Sequence, residues 1–579
     1  MAKVLGRQNV TLLASSYQND TSSIGGQAAI MDYDQLRALG WTDANARATG
    51  SGSIGPVFYL GDSVANRTTA SGLNLTGYKG TLSFPNQVSI NHRDAASNQI
   101  RTGTVNVYSL QNSPHERLAT GTGIGRDKLD TLAAVLQSHW WDGALVSTVG
   151  FREDKIERYT AAPLPARRLD FTFTGRATLN ADPTAEKTGR TKSYSGVLKV
   201  NKLVGDRAPR STELDLHYGW SENFQGLAGS RNTKGGFYDA PVGETKEAGF
   251  SMSLFHQKLF FRANWFETSQ ANLVDAEMTA IINTYLFQIP SRLYDRYTLA
   301  QLNAAGFAMP PAILASGAVT IGAPNANGFA ALTNVYTPTD INSALSKGFE
   351  WEATYNVSNN WRIAVNVAQV KAIQTGKGKN WAENVAWAKT NWFDKSSVGS
   401  LITGAGGTLD PVSGWIDRAI TDFSSLQERD GASNPQIREW RMNAITNYSF
   451  PRTSRLKGVG VGGGIRFQDN VFLGYAGKPN PSLPTTYIAD VKKPQFGPSE
   501  TEFDFWSSYE RRILNDKVLW KLQLNIRNAF TNDELIPIQA QLVDVYSKYP
   551  AFDGYKASGY RLYRIAAPRT IELRSTFKF

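Results

Sequence analysis

The chain has 579 residues, no cysteine, 14 Trp, 23 Tyr and 28 Phe, with 19% of its residues charged and a formal net charge of +11. Without cysteine there is no disulfide framework, no thiolate metal site and no cysteine nucleophile. No apolar run reaches the ~18 residues of a membrane-crossing helix, and Lys and Arg are dispersed, which argues against a nucleic-acid patch.

The mean hydropathy of −0.34 is compatible with a barrel in a membrane, because a barrel strand turns only alternate residues toward lipid. The opening residues, Met1 to Val10, hold no apolar stretch and no small-residue cleavage site, so they do not read as a secretory signal. The dominant signal is period-two alternation in segments of ten residues or more. Fourteen strands are predicted, over 7–18, 130–141, 144–160, 191–204, 213–226, 245–256, 259–274, 347–358, 361–374, 436–450, 457–475, 500–513, 517–531 and 566–579. In 213–221, Leu214, Leu216, Tyr218 and Trp220 oppose Asp215, His217 and Ser221. In 258–266, Leu259, Phe261, Ala263 and Trp265 oppose Arg262 and Asn264. In 517–528, Val518, Trp520, Leu522, Leu524 and Ile526 oppose Lys521, Gln523, Asn525 and Arg527.

The connections alternate between short and long. Asp142-Gly143, Gly205–Thr212, Gln257-Lys258, Asn359-Asn360, Pro451–Leu456 and Leu514–Asp516 are short. The connections between them run from about 17 to over 100 residues, as in an outer-membrane barrel with tight periplasmic turns and long extracellular loops. Trp140, Trp141, Tyr355, Trp361, Phe450, Tyr509, Trp520 and Phe579 lie near the short-turn rim, and Trp220, Trp265 and Phe266 near the other, the pattern of two interfacial aromatic girdles. Within the long loops, Tyr33–Trp41 and Tyr297–Phe307 read as short helices stopped by Gly, with Trp381–Trp392 and Trp415–Gln427 as further helices.

No catalytic or cofactor pattern emerges. His92, His115, His139, His217 and His256 form no i, i+4 pair; His217 is expected to line a lumen and His256 to flank a turn. Gly458-Val-Gly460-Val-Gly462-Gly463 runs into a strand rather than a helix, so it reads as strand glycines that permit bending or close approach. Asp32, Asp34 and Asp43 lack the Gly and Glu of a calcium loop. The expectation is therefore no enzyme, no cofactor and no metal.

Three stretches carry a likeness. Ser346-Lys-Gly-Phe-Glu-Trp-Glu-Ala-Thr-Tyr-Asn-Val-Ser-Asn-Asn-Trp361, Gln523-Leu-Asn-Ile-Arg-Asn-Ala-Phe-Thr-Asn532 and the closing Ala567-Pro-Arg-Thr-Ile-Glu-Leu-Arg-Ser-Thr-Phe-Lys-Phe579 resemble strands of the TonB-dependent receptors of Gram-negative outer membranes, and Leu456–Ile465 fits with them. The resemblance implies an all-β, antiparallel transmembrane barrel, about 14 strands of a larger ring of 22. Residues 1–579 would be a partial barrel domain without signal peptide or plug, and Arg7–Tyr17 a mid-barrel strand. Such a partial ring leaves two edges, at Arg7–Tyr17 and Ile571–Phe579, so the chain alone is expected to be poorly stable or to curl until they meet.

The implied function is energised uptake of a scarce ligand of the siderophore, cobalamin or glycan class. The implied partners are outer-membrane lipid, the TonB complex through a plug, the barrel-assembly machinery and the small-molecule or oligosaccharide ligand, with no nucleic acid. Two other readings stay open: a passive porin-like channel and a soluble carbohydrate-binding β-sandwich. The candidate ligand residues are Phe237 and Tyr238 in the 227–244 loop, Trp381 and Trp392 in the 375–435 loop, and Tyr475 at a strand top; Phe58 and Tyr59 lie in the longest loop.

Overall fold

The computed structural model describes residues 6–26, 28–39, 54–55, 83–93, 100–113, 118–161, 178–207, 211–226, 231–402, 411–433, 436–531, 535–548 and 551–579. Fourteen wall strands form one antiparallel sheet, each hydrogen-bonded to its neighbour in the chain. They are β1 (Arg7–Gly26), β2 (Ala119–Trp140), β3 (Leu145–Thr160), β4 (Ala185–Lys199), β5 (Glu213–Phe224), β6 (Val242–Leu254), β7 (Leu259–Val274), β8 (Ile341–Ser358), β9 (Trp361–Thr375), β10 (Trp440–Ser449), β11 (Val459–Gln468), β12 (Glu500–Ile513), β13 (Val518–Arg527) and β14 (Thr570–Lys578). Every predicted strand is present; β1, β2, β4, β6 and β8 extend further toward the loop rim than alternation alone indicated, while β5, β10, β11, β13 and β14 stop short of their predicted ends there.

Register gives the sheet two unlike faces. Phe261, Ala353, Val365, Ala444, Ile465 and Phe503 lie side by side across β7 to β12. Val10, Leu136, Val149, Tyr194 and Trp220 do the same across β1 to β5. Among the described residues nothing covers this face: Leu132 is 61% exposed, Val149 56% and Leu573 67%. Apolar surface on this scale, left bare by the protein itself, needs lipid. Among the described residues no second sheet packs against it, so the sandwich reading falls. The sheet is the wall of a transmembrane β-barrel.

The other face is polar and internally paired. Thr131 donates to Asp154 at 2.6 Å, and Arg152 meets the same carboxylate. His217 lies on this face, 3.0 Å from the Asn264 side-chain oxygen, and Asn443 donates to Asn366. Trp506 lies flat over Gly462, where a Cβ would overlap the indole. The glycine run of β11 thus serves close approach, not phosphate binding.

The girdles are visible as paired indoles. Near the short turns, Trp140 donates to Ser147, Trp361 to Thr446 and Trp520 to Ser575, each to a hydroxyl on a neighbouring strand. Toward the loops, Trp220 stacks on Tyr194 at 4.9 Å, and Trp351 lies between Phe349 and Trp440. Phe266 leaves the predicted girdle. It follows Trp265 in an extended strand, so it must face the other way, and it packs beside Gly348. Above the loop-side belt the first strands carry charge pairs, Arg126–Asp20, Lys155–Glu157 and Arg190–Glu153, which mark strand ends standing in water.

The turns reverse through left-handed backbone: Phe255, His256 and Gln257 have φ of 54°, 56° and 65°, and Leu514, Asn515 and Asp516 have 53°, 55° and 64°. The connection before β5 is less tight than predicted, because Val200–Val204 is a helical turn rather than strand. The predicted strand 457–475 is two elements: β11 stops at Gln468, and Phe472–Asn480 pairs instead with Leu483–Phe496 in a hairpin above the wall. The outermost strands do not meet. Among the described residues β1 pairs with β2 alone and β14 with β13 alone, leaving each with one free edge.

Candidate ligand-capture face

Two long loops, 275–340 and 376–439, fold together over the loop rim of the wall. Their sequence supplies the means. Thr298 and Gln301 form a reciprocal capping box that starts the helix Leu299–Ala305, and Gly306, at φ 72°, stops it. The helix Val412–Glu428 buries Ile416, Ile420, Phe423 and Leu426 on one side. The predicted helix at 381–392 forms as Ala382–Ala388 followed by a wider turn, Lys389–Phe393. These elements share one apolar core with Met278, Ile282, Phe287 and Leu293, and Leu483 of the loop hairpin packs against it. Thr421 and Thr486 join hairpin to helix through their hydroxyls, 3.1 Å apart.

The candidate aromatics divide into three groups. Trp381 and Trp392 are both fully buried in that core. The Trp392 indole N–H donates to Ala308 O at 2.8 Å and its ring stacks on Phe307. Trp381 donates to Thr339 O, and the Tyr238 hydroxyl donates to the same carbonyl at 3.3 Å, so the segment 231–241 is pinned to the cap. Burial, and then the Asp340 charge, push the Tyr238 hydroxyl up to about 12. Tyr475 sits apart on the hairpin, with its ring against Phe472 and its hydroxyl donating to Ser433 O; burial raises its pKa too. Phe237 is 54% exposed, with the Arg231 guanidinium 4.6 Å above its ring. Phe58 and Tyr59 lie outside the described residues, as does Trp41 at the end of the first predicted helix, which forms over Tyr33–Ala38.

Sequence reasoning missed the charged members of this face. Arg231 also reaches Tyr336, 4.9 Å from its ring, so one guanidinium sits against two aromatic faces. Further round the rim, Glu500 is held between Arg438 and Arg564. Beside it opens a cavity of about 140 Å³ bordered by Pro498, Phe503, Asn528, Ile536 and Ala567. Arg438 and Arg564 lie 62 and 64 residues from Glu500 in the chain; no local spacing announces such a trio. Among the described residues no group of three or more His, Asp or Glu side chains could hold a metal ion, and no helix is long and apolar enough to cross a membrane.

No family model and no curated protein matches the chain. Solved structures do. The chain is similar to the ferric-catecholate import receptor Fiu of Escherichia coli K12, at 13% identity over 82% of this chain and 48% of that one, with a TM-score of 0.39. It is similar also to the siderophore receptor PiuA of Acinetobacter baumannii, at 14% identity over 84% and 50% with a score of 0.38. The ferripyoverdine receptor of Pseudomonas aeruginosa follows, at 11% identity over 79% and 49% with a score of 0.34. The chain thus spans about half the length of the structures it matches. Scores of this size add nothing to the argument, and the fold rests on the ladder of wall strands and their two faces.

Proposed function

We propose that the chain is the barrel wall and loop cap of an outer-membrane receptor that captures a scarce ligand and imports it with energy supplied through TonB. The observation that carries the reading is the asymmetry of the wall. One rim has short connections, none longer than 13 residues. The other bears loops with an apolar core of their own, and a passive pore gains nothing from ordering so much chain above its mouth. Residues 1–579 act as one barrel domain in this reading, with lipid, the barrel-assembly machinery and a plug-borne TonB contact as its partners.

The ligand belongs to the siderophore, cobalamin or glycan class. Phe237, with Arg231 over its ring, offers it a flat surface and a cation together. Tyr238, Trp381 and Trp392 act by holding that surface in place, and Tyr475 is a separate candidate contact on the hairpin. Tryptophan fluorescence of the full chain in detergent, titrated with ferric siderophores, cobalamin and oligosaccharides, tests the proposal. One class is expected to bind, with Arg231→Ala weakening it about tenfold, the effect of losing a ligand contact to the cation of about 1–2 kcal/mol. Binding by none of them, together with steady conductance in a planar bilayer, would favour the passive channel.

A further inference from the structure

The last ladder pairs between β7 and β8 are Leu273 with Asn342 and Val274 with Ile341. One step beyond them the chains remain together, since the Asp275 backbone N–H donates to Asp340 O at 2.8 Å. Cross-strand partners share a face, and so do residues two apart. Asp275, Asp340 and Asn342 therefore lie on one face where the wall meets the cap. All three are more than nine-tenths buried, Asp340 completely.

Each carboxylate is half used. Asp275 Oδ1 accepts from Met278 N at 3.0 Å, as the cap of the helix Ala276–Ile281. Asp340 Oδ1 accepts from Ile341 N at 2.8 Å and from the Asn380 amide at 2.6 Å. The other oxygens, Asp275 Oδ2 and Asp340 Oδ2, have no partner, and neither do Asn342 Oδ1 and Thr339 Oγ1. Among the described residues no lysine or arginine pairs with either carboxylate; Lys377 and Arg429 are both directed to Glu277. Three of these unpartnered oxygens belong to Asp275, Asp340 and Asn342, which share one face, and the two carboxylates repel one another, an arrangement that burial penalises heavily unless something positive occupies it.

We propose that Asp275, Asp340 and Asn342 bind one divalent, oxygen-seeking cation, calcium foremost. The donor set is all oxygen, two charged and one neutral, and calcium accepts such mixed, irregular sets and completes its six to eight positions with water. Magnesium demands a stricter octahedron and gives up its water reluctantly, so it is expected to bind more weakly. The ion would join the root of loop 275–340 to the top of β8 and fix the cap on the wall. The assignment does not rest on the transport proposal. No sequence motif marks it, because the two aspartates lie on either side of an entire loop and only strand register brings them together.

The test uses the full chain in detergent, stripped with EDTA and titrated calorimetrically with CaCl₂ and separately with MgCl₂. One calcium per chain is expected. At a calcium concentration a hundredfold above Kd, trypsin cleavage within loop 275–340 is expected to slow about a hundredfold, since binding depletes the open form by that factor. Asp340→Asn and Asn342→Ala are expected to lose the protection, and Asp417→Asn, a carboxylate elsewhere in the cap, to keep it. The proposal is overturned if the stripped wild type binds no calcium, or if Asp340→Asn binds it as tightly as wild type. It is overturned too if Asp340→Asn is protected equally with and without calcium at the wild-type calcium-bound level, which would mean that the carboxylates share a proton instead.

Discussion

Trp392 shows how one side chain can be read correctly as important and yet in the wrong direction. An aromatic residue in a long polar loop invites a ligand. Here the ring stacks on Phe307 and its N–H is spent on Ala308 O, 84 residues away. Replacing it with alanine is expected to destabilise the cap by about 3–5 kcal/mol, seen as faster proteolysis of loop 376–439 while the heat-modifiable band of the folded wall is retained. Loss of the wall as well would show that cap and wall unfold together. Asp417 supplies a pH signature. Burial pushes its carboxyl up to about 6 from an ordinary value of 3.8, and its Oδ1 has no partner. A folded value above the unfolded one means that the folded cap holds the proton more tightly. The contribution is fully present below about pH 4 and is lost as pH rises through about 6. Asp417→Asn is therefore expected to stabilise the cap at pH 7.5 and to leave it unchanged at pH 3.5, in protease-protection curves at the two values.

At the scale of elements, the tight turns are where backbone chemistry is least forgiving. Gly458 opens β11 at φ 84°, and a Cβ there would overlap Glu510 O on the neighbouring strand. Gly458→Ala is expected to lower wall stability by about 1–3 kcal/mol, measured as the urea midpoint for unfolding in lipid vesicles; an unchanged midpoint would mean that the turn relaxes freely. The wall strands were legible in the amino-acid sequence because period two is a local property: Leu214, Leu216, Tyr218 and Trp220 declare their face within seven residues. The helices expected at 297–307 and 415–427 were legible for the same reason, the first through the Gly306 that stops it. What escaped was whatever needs two distant segments at once. Nothing in the stretch around Arg231 shows that Tyr336 will lie beside it. The β11 boundary failed for a related cause, since Phe472–Asn480 has ample β character but its partner is a hairpin outside the wall.

At the scale of the whole molecule, the two faces make opposite demands on one strand. Leu524 lies on the apolar face beside Leu573, and Gln523 on the polar face beside Arg574. Leu524→Arg is expected to cost about 2–4 kcal/mol of folding stability in a bilayer, and Gln523→Lys close to nothing; equal effects in vesicle-folding titrations would overturn the assignment of faces. The free edges of β1 and β14 bear on association. Unpaired strand edges seek partners, so the purified chain is expected to run as mixed oligomers in light scattering. A single monomeric species would mean that the edges close on each other in detergent.

Because every wall strand lies beside its neighbour in the chain, the wall can be laid down as a queue. Each pair joined by a tight turn closes quickly, and nothing already in place has to move aside for the next pair. The waiting steps are the joins across long loops, where closure entropy grows with the length to be spanned. The longest is the span 27–118 between β1 and β2. By this logic β1 docks last. Until it does, the growing wall presents β2 as its leading margin, so the order of biogenesis is written into the spacing of the turns.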